Sequence, residues 1–191
     1  MSPKSPEQFK EIREEKKALI MQTALEVFAE KTFQGASVSM IAKKAGISKG
    51  LIYNYFESKE DLLQQIILQV WDSFEILFES KNIDSFNEND FEDIIKITFE
   101  MLKKDYKFWK LYISLVMQPA AIKFLEEKIP DFMDKYLNLY VNYYRKKGVN
   151  NPVAQARFLG AVLDGVSLNY ILDPDSFPLE DVQELVIQKF K

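Results

Sequence analysis

The chain has 191 residues, 47% of them apolar and 28% charged, with a net charge of −4, so it is long and apolar enough to bury a core. It has no cysteine and no histidine, which removes disulfides, thiol nucleophiles, thiolate or imidazole metal ligands and imidazole proton shuttles. Most hydrolase and redox chemistry is thereby excluded, and no catalytic residue, cofactor or metal is expected.

No window approaches the roughly 18–20 apolar residues that cross a bilayer. The start, MSPKSPEQFKEIREEKK, lacks an apolar signal region, so a cytoplasmic protein is expected. Charge is distributed unevenly. Residues 1–60 hold 10 Lys+Arg against 8 Asp+Glu, a net +2, and residues 61–191 hold 15 against 21, a net −6. That pattern suits a molecule in which only one end docks on phosphate.

In chain order, the residues up to about Gln8, with Pro3 and Pro6, read as a mobile arm. The next helix runs to about Lys31 with Ile20, Ala24, Val27 and Phe28 as its inward stripe. Residues 32–36 turn the chain into the most informative stretch, SVSMIAKKAGISKGLIYNYF at 37–56. Here Ser37 can cap a first helix whose Val38, Ile41 and Ala42 share a face. Gly46 supplies the positive φ of a reversal, and Ile47 is an apolar plug. Ser48 caps a second helix in which Ile52 and Phe56, four apart, point inward while Lys49, Gly50, Tyr53 and Asn54 lie on other faces. A cation, a residue without a side chain, a phenol and an amide suit phosphate contact, close backbone approach and hydrogen bonding to base edges.

After Phe56, Ser58 and Asp61 form a capping-box variant that starts a helix to about Ser80, striped by Leu62, Ile66, Val70, Phe74 and Leu77. SKNIDSFNEND at 80–90 reads as a polar linker. Helices are expected at about 89–104, 106–117, 120–147, 152–172 and 179–190, separated by Pro119, by Gly148 with Pro152, and by DPDSFP at 173–178. Pro130 should kink or interrupt the third of these. No alternating strand pattern persists, so the fold class is all-α.

The middle of the chain is rich in aromatics, and Tyr136, Tyr140 and Tyr144 recur every four residues along one face. A buried phenol needs a hydrogen-bond partner, which a ligand could supply. Residues 152–172, PVAQARFLGAVLDGVSLNYIL, are apolar on nearly every side, with Ala154, Gly160, Ala161 and Gly165 small enough for close helix approach. One face can meet the chain's own core and the other a partner. The last helix repeats Leu179, Val182, Leu185, Val186 and Phe190 at helical spacing.

The block GASVSMIAKKAGISKGLIYNYFESKEDLL, Gly35–Leu63, with the order ISKGxxYxYFxSKxDL intact, resembles the DNA-binding domain of the TetR (tetracycline-repressor-like) family of bacterial transcriptional regulators. By motif the resemblance covers the first third of the chain. It implies a three-helix helix-turn-helix domain at 1–58 followed by a larger helical effector-binding and dimerisation domain at 59–191. It also implies that the second helix of the motif enters the major groove. Carried onto this sequence, Lys49 and Gly50 lie nearest the bases, Tyr53 and Asn54 contact base or backbone, Ser37, Ser48 and Lys59 hold phosphates, and Ser39 and Tyr55 are further candidates. Leu51 stands where relatives often carry a hydroxyl, and Asn54 where His or an aromatic is frequent. An apolar Leu51 could meet a thymine methyl and Asn54 could read adenine.

The resemblance further implies a homodimer through 152–172 and 179–190, with recognition helices about 34–36 Å apart on a palindromic operator. It places an apolar or aromatic small-molecule effector in the middle of the chain, with Phe108, Trp109, Tyr112, Phe132, Tyr136 and Tyr140 as candidate contacts. Gln118, Asn138, Asn142 and Asp164 are nearby polar groups. Asp164 reads either as a counter-charge for a cationic ligand or as a capped or interfacial carboxylate. The expected function is a ligand-released repressor, the ligand tilting the helix that starts at Ser58. An architectural DNA-binding protein without an effector and an activator are the alternatives. An enzyme using Glu126 with Glu127, or Asp173 with Asp175, is set aside, because adjacent acids at helix surfaces and turns are ordinarily solvated.

Overall fold

A computed structural model describes residues 5–79, 81 and 85–191; within one helix the side chains at 129, 131–133 and 135 lie outside the description. Pro3 of the expected arm and positions 80 and 82–84 of the expected linker fall outside it too. The described residues form α1 (Pro6–Gly35), α2 (Val38–Ala45), α3 (Lys49–Tyr53), α4 (Lys59–Glu79), α5 (Glu88–Lys104), α6 (Tyr106–Val116), α7 (Pro119–Lys146), α8 (Pro152–Leu172) and α9 (Leu179–Phe190), with no strand among them. The all-α expectation holds. Two compact units result: one of residues 1–71 and 111–124, the other of 72–110 and 125–191. α4, α6 and α7 each contribute residues to both.

α1 starts earlier than the sequence suggested. Ser5 Oγ accepts from Gln8 N at 3.3 Å, Gln8 Oε1 accepts from Ser5 N at 2.9 Å, and Pro6 occupies the first turn, where its missing N–H costs nothing. α1 also contains a break at Thr32, whose φ of 60° and ψ of 162° leave the helical region. That region is nearly exclusive to glycine, so a β-branched residue there is strained by about 1–3 kcal/mol. The side chain of Gln118 fills the break: it accepts from Phe33 N at 2.7 Å and donates to Phe28 O at 3.0 Å, standing in for a peptide group in the helix ladder. Gln118 therefore braces α1 within the first unit.

The core of this unit is Ile20, Ala24, Leu25, Val27 and Phe28 of α1 with Ile41, Ile52, Phe56, Leu62 and Ile67, all at most 4% exposed. The motif's apolar positions face inward as the helical spacing required. α7 stays helical through Pro130, so the expected interruption is not there.

In the second unit Phe86, Phe91, Tyr143 and Tyr144 are buried around half-buried Tyr140. Phe91 stacks on Tyr143 at 5.3 Å, and Tyr140 meets Phe86 edge-on at 6.2 Å and Phe91 at 6.0 Å. Tyr144 donates from its hydroxyl to Phe190 O at 3.0 Å, joining α7 to the end of α9. Lys191 reinforces this corner by pairing with Glu92 of α5 at 2.6 Å.

Candidate nucleic-acid interface

The ends of α2 are closed by the chain itself. Ser37, with extended backbone, accepts from Met40 N at 3.2 Å. At the other end Gly46 takes φ 67° and ψ 32°, its N–H donating to Lys43 O at 3.3 Å while Ile47 N donates to Ala42 O at 3.0 Å. That paired closure needs a left-handed residue, which glycine adopts without a Cβ clash. Lys44 then ties α2 to α1 through Glu30 at 2.7 Å and Glu26 at 3.1 Å. Its hydrogen bond holds the Glu30 carboxyl below the usual range.

α3 begins at Ser48, which accepts from Leu51 N at 3.1 Å, and it ends at Tyr53. The helix is shorter than expected: the N–H groups of Tyr55 and Phe56 both donate to Ile52 O at 3.0 Å, a tightening turn that still brings Phe56 to 2% exposure. With Ile52 and Phe56 as anchors, Lys49, Gly50, Tyr53 and Asn54 are exposed. Tyr53 keeps 48% of its surface open, and the Lys49 ammonium lies 5.8 Å from its ring centroid. A Cβ on Gly50 would meet only Ser48 Oγ, at 4.0 Å, so nothing inside the chain requires a glycine there.

Ser37, Ser39 and Ser48 are exposed as well, and Tyr55 is half-buried. Lys59 departs from expectation. Its ammonium donates to Phe33 O at 2.7 Å and Ala36 O at 3.0 Å and lies 4.3 Å from the Phe33 ring centroid. Two of its three donors close the end of α1, leaving one for a phosphate. At the start of α4, Ser58 Oγ accepts from Asp61 N at 3.0 Å, but Asp61 reaches Glu57 N at 2.8 Å, one residue beyond a standard capping box.

Arg13 of α1, which no sequence motif marks, reaches the end of this segment. Its guanidinium donates to Asn54 O at 3.4 Å and lies 4.8 Å from the Tyr55 ring centroid. The signal was present, since Arg13 precedes buried Ile20 by seven residues, two turns on the same side of α1. Arg13 thus supports the exit of α3 from behind.

Residues 20–66 match the family described as bacterial regulatory proteins, tetR family. The helix-turn-helix segment is that of the TetR family. The chain is 29% identical over 165 residues to the uncharacterized HTH-type transcriptional regulator YuxN of Bacillus subtilis, covering 82% of this chain but 54% of that one. The chain thus spans about half the length of that curated relative. It is 26% identical to the HTH-type transcriptional regulator BetI 1 of Chromohalobacter salexigens, over 87% of this chain and 84% of the relative. Its fold matches the transcriptional regulator FadR from Bacillus subtilis, solved with stearoyl-CoA, at a TM-score of 0.70 and 22% identity, covering 91% of this chain and 96% of that one. Both curated relatives are described as HTH-type transcriptional regulators. No described helix is long and apolar enough to cross a membrane.

Of the residues expected to hold an effector, Phe108, Trp109 and Tyr112 lie on α6 and Tyr136 and Tyr140 on α7. Tyr112 is buried in the first unit. In the second, Trp109 packs on Phe108 at 5.4 Å and on Phe74 at 6.2 Å, and it donates from Nε1 to Met101 O at 3.0 Å. Tyr136 packs on Phe78 at 4.6 Å, and Tyr140 meets the same ring at 6.1 Å. Phe74 and Phe78 are one turn apart on α4, so both groups pack on the part of that helix that belongs to the second unit. Phe132 lies outside the described side chains. Burial raises the Tyr140 and Tyr143 phenols above their usual range. The Tyr143 hydroxyl is buried without a hydrogen bond of ordinary length among the described residues, although Lys147 stands close enough to offset part of that shift. Gln118, expected near a ligand, is occupied at the α1 break.

Proposed function

We propose that this regulator is a repressor that binds a palindromic operator as a homodimer and is released by an apolar or aromatic small molecule. Residues 1–58 serve as the DNA-binding domain and 59–191 as the effector-binding and dimerisation domain. The observation that carries the DNA-reading part is the face of α3. Lys49, Gly50, Tyr53 and Asn54 are presented outward by a helix whose ends and apolar anchors are satisfied within the chain. Lys49 and Gly50 approach base edges, Tyr53 and Asn54 contact base or backbone, and Ser37, Ser39, Ser48, Tyr55 and the remaining Lys59 donor meet phosphates. Arg13 holds the α3 exit in place.

Dimerisation is supported by the outward side of α8 and α9. Val153, Phe158, Leu168, Leu172 and Leu185 are 45–71% exposed, although α8 already buries Leu159, Tyr170 and Ile171 on its other side. A helix with two apolar faces and one core needs a second partner.

Effector control is supported by the packing of α4 against both aromatic groups. A ligand lodged between Phe74 and Trp109, or between Phe78 and Tyr136, would shift α4 and with it the spacing of two recognition helices. It must bind the released state more tightly, by about 1–3 kcal/mol for ordinary coupling. That FadR is solved with stearoyl-CoA favours an effector with a long apolar portion.

Selection of binding sites from a random duplex pool, followed by competition with acyl-CoA and aromatic compounds, tests the proposal. Two inverted half-sites about one turn apart, with complexes dissolved by a compound, are expected. Salt-dependent binding without sequence preference would indicate an architectural protein instead. Saturation by a ligand with operator affinity unchanged would refute ligand release.

A further inference from the structure

The outward stripe of α8 has a symmetry that the sequence alone left unnoticed. At about 100° of rotation per residue, Val153, Arg157, Gly160, Ala161, Asp164 and Leu168 fall within an arc of roughly 100°. All six are exposed, Val153 at 49% and Leu168 at 45%. A Cβ added to Gly160 would meet nothing within 4 Å. Read outward from the point between Gly160 and Ala161, the stripe runs small, charged, apolar in both directions, and the two charges are of opposite sign. Neither Arg157 nor Asp164 makes an ion pair within the chain among the described residues. The surrounding apolar surface desolvates Asp164 and raises its carboxyl above the usual range.

A pattern of this kind is complementary to itself under a two-fold rotation, as a closed dimer requires. We propose that a second copy of this chain docks antiparallel on this face, α8 against α8. The two-fold axis passes between Gly160 and Ala161, and Arg157 of each copy pairs with the partner's Asp164. The inference rests on the dimer reading above and goes beyond it in fixing register and partner choice. With a rise of about 1.5 Å per residue, the charged positions lie about 5 Å along the helix from the crossing point. Within that reach an arginine spans the gap at any ordinary crossing angle. Val153 then faces the partner's Leu168, and the small residues at the centre let the backbones approach. The reciprocal pair also disfavours pairing with TetR-family chains that lack one of the two charges at these positions.

Sedimentation equilibrium of the full chain tests the register. Arg157→Asp and Asp164→Arg should each weaken self-association by about tenfold or more, because each creates two like-charge contacts. The double reversal should return it to within about threefold of the unmodified chain. A mixture of the two single variants should form heterodimers in preference to either homodimer, since both contacts then pair opposite charges. Both positions are exposed, so circular dichroism should remain unchanged. As the chain has no cysteine, Ala161→Cys offers an independent readout. It should give a disulfide-linked dimer under mild oxidation, whereas Asn169→Cys, exposed but off the stripe, should not. A dimer that tolerates both single reversals, or a double variant as weak as the two losses combined, would overturn the register while leaving the dimer. A monomeric unmodified chain would instead remove the dimer reading itself.

Discussion

The helix-turn-helix segment and α8 both present an exposed face, yet the two faces differ in kind. On α3 the apolar residues are spent inward, at Ile52 and the following Phe56, and what remains outside is a cation, a glycine, a phenol and an amide. On α8 the inward side is equally apolar, but Val153, Phe158, Leu168 and Leu172 remain outside. The first face suits a hydrated, charged surface with hydrogen-bonding edges, and the second suits another apolar face. An exposed side chain identifies its partner by its chemistry, not by its exposure.

The largest effect is expected on α8. Leu168→Glu would bury an unpaired charge in each half of a dimer, which costs several kcal/mol. It should give a folded monomer by sedimentation whose affinity for a palindromic duplex falls while its helical content is unchanged. An intact dimer would show that the apolar face has no partner copy. Next, Gln118→Leu leaves the Phe33 N–H and the Phe28 carbonyl without their partner at the α1 break, costing about 1–3 kcal/mol. Denaturant unfolding should show this loss, with self-association unaffected. Lys59→Ala, which removes two hydrogen bonds to the Phe33 and Ala36 carbonyls, should cost a similar 1–3 kcal/mol in folding, estimated from bonds to a charged donor. It should also weaken binding to all DNA sequences alike. Full stability in that variant, with lost DNA affinity, would return Lys59 to a purely phosphate-binding role.

A smaller effect of opposite sign is expected at Thr32. Thr32→Gly relieves a positive φ but adds glycine's entropic cost, so a gain of up to about 1 kcal/mol should appear in the same unfolding experiment. The smallest effect lies far from both faces. A hydrogen bond from Lys191, then one from Lys96, lowers the Glu92 carboxyl to about 2. Since the folded value is depressed, the contribution is present above the ordinary 4.5 and is lost as pH falls from there toward about 2. The group is exposed, so salt should screen it. Lys191→Met should move the Glu92 titration upward by NMR and leave both DNA binding and dimerisation unchanged.

The helices were legible in the sequence because their ends carry local chemistry. Ser37 and Ser48 cap, Gly46 reverses the chain, and Pro119 and Pro152 open first turns, so each boundary depends on residues only a few positions away. The inward pattern of α2 and the two-sided apolar character of α8 were legible for the same reason. What escaped depends on distant partners. Gln118 meets Phe33 across 85 positions, and Arg13 meets Asn54 across 41. Lys59 looked like a surface cation beside a helix start, but its long stem lets the ammonium turn back to carbonyls 23 and 26 positions earlier. The candidate effector aromatics were recognisable as a group. Their division between Trp109 on Phe74 and Tyr136 on Phe78 follows from the pitch of α4, which no aromatic count reveals.

On the proposed function, the outward face of α3 reads base edges. The most direct test is the affinity of the unmodified chain and of Lys49→Ala for a selected duplex and for every single-base-pair variant of it, at one salt concentration. A loss of about 1–3 kcal/mol is expected, confined to a few adjacent positions in each half-site, where the variant protein no longer discriminates between bases. A loss of the same size on every duplex, random sequence included, would contradict base reading by this face.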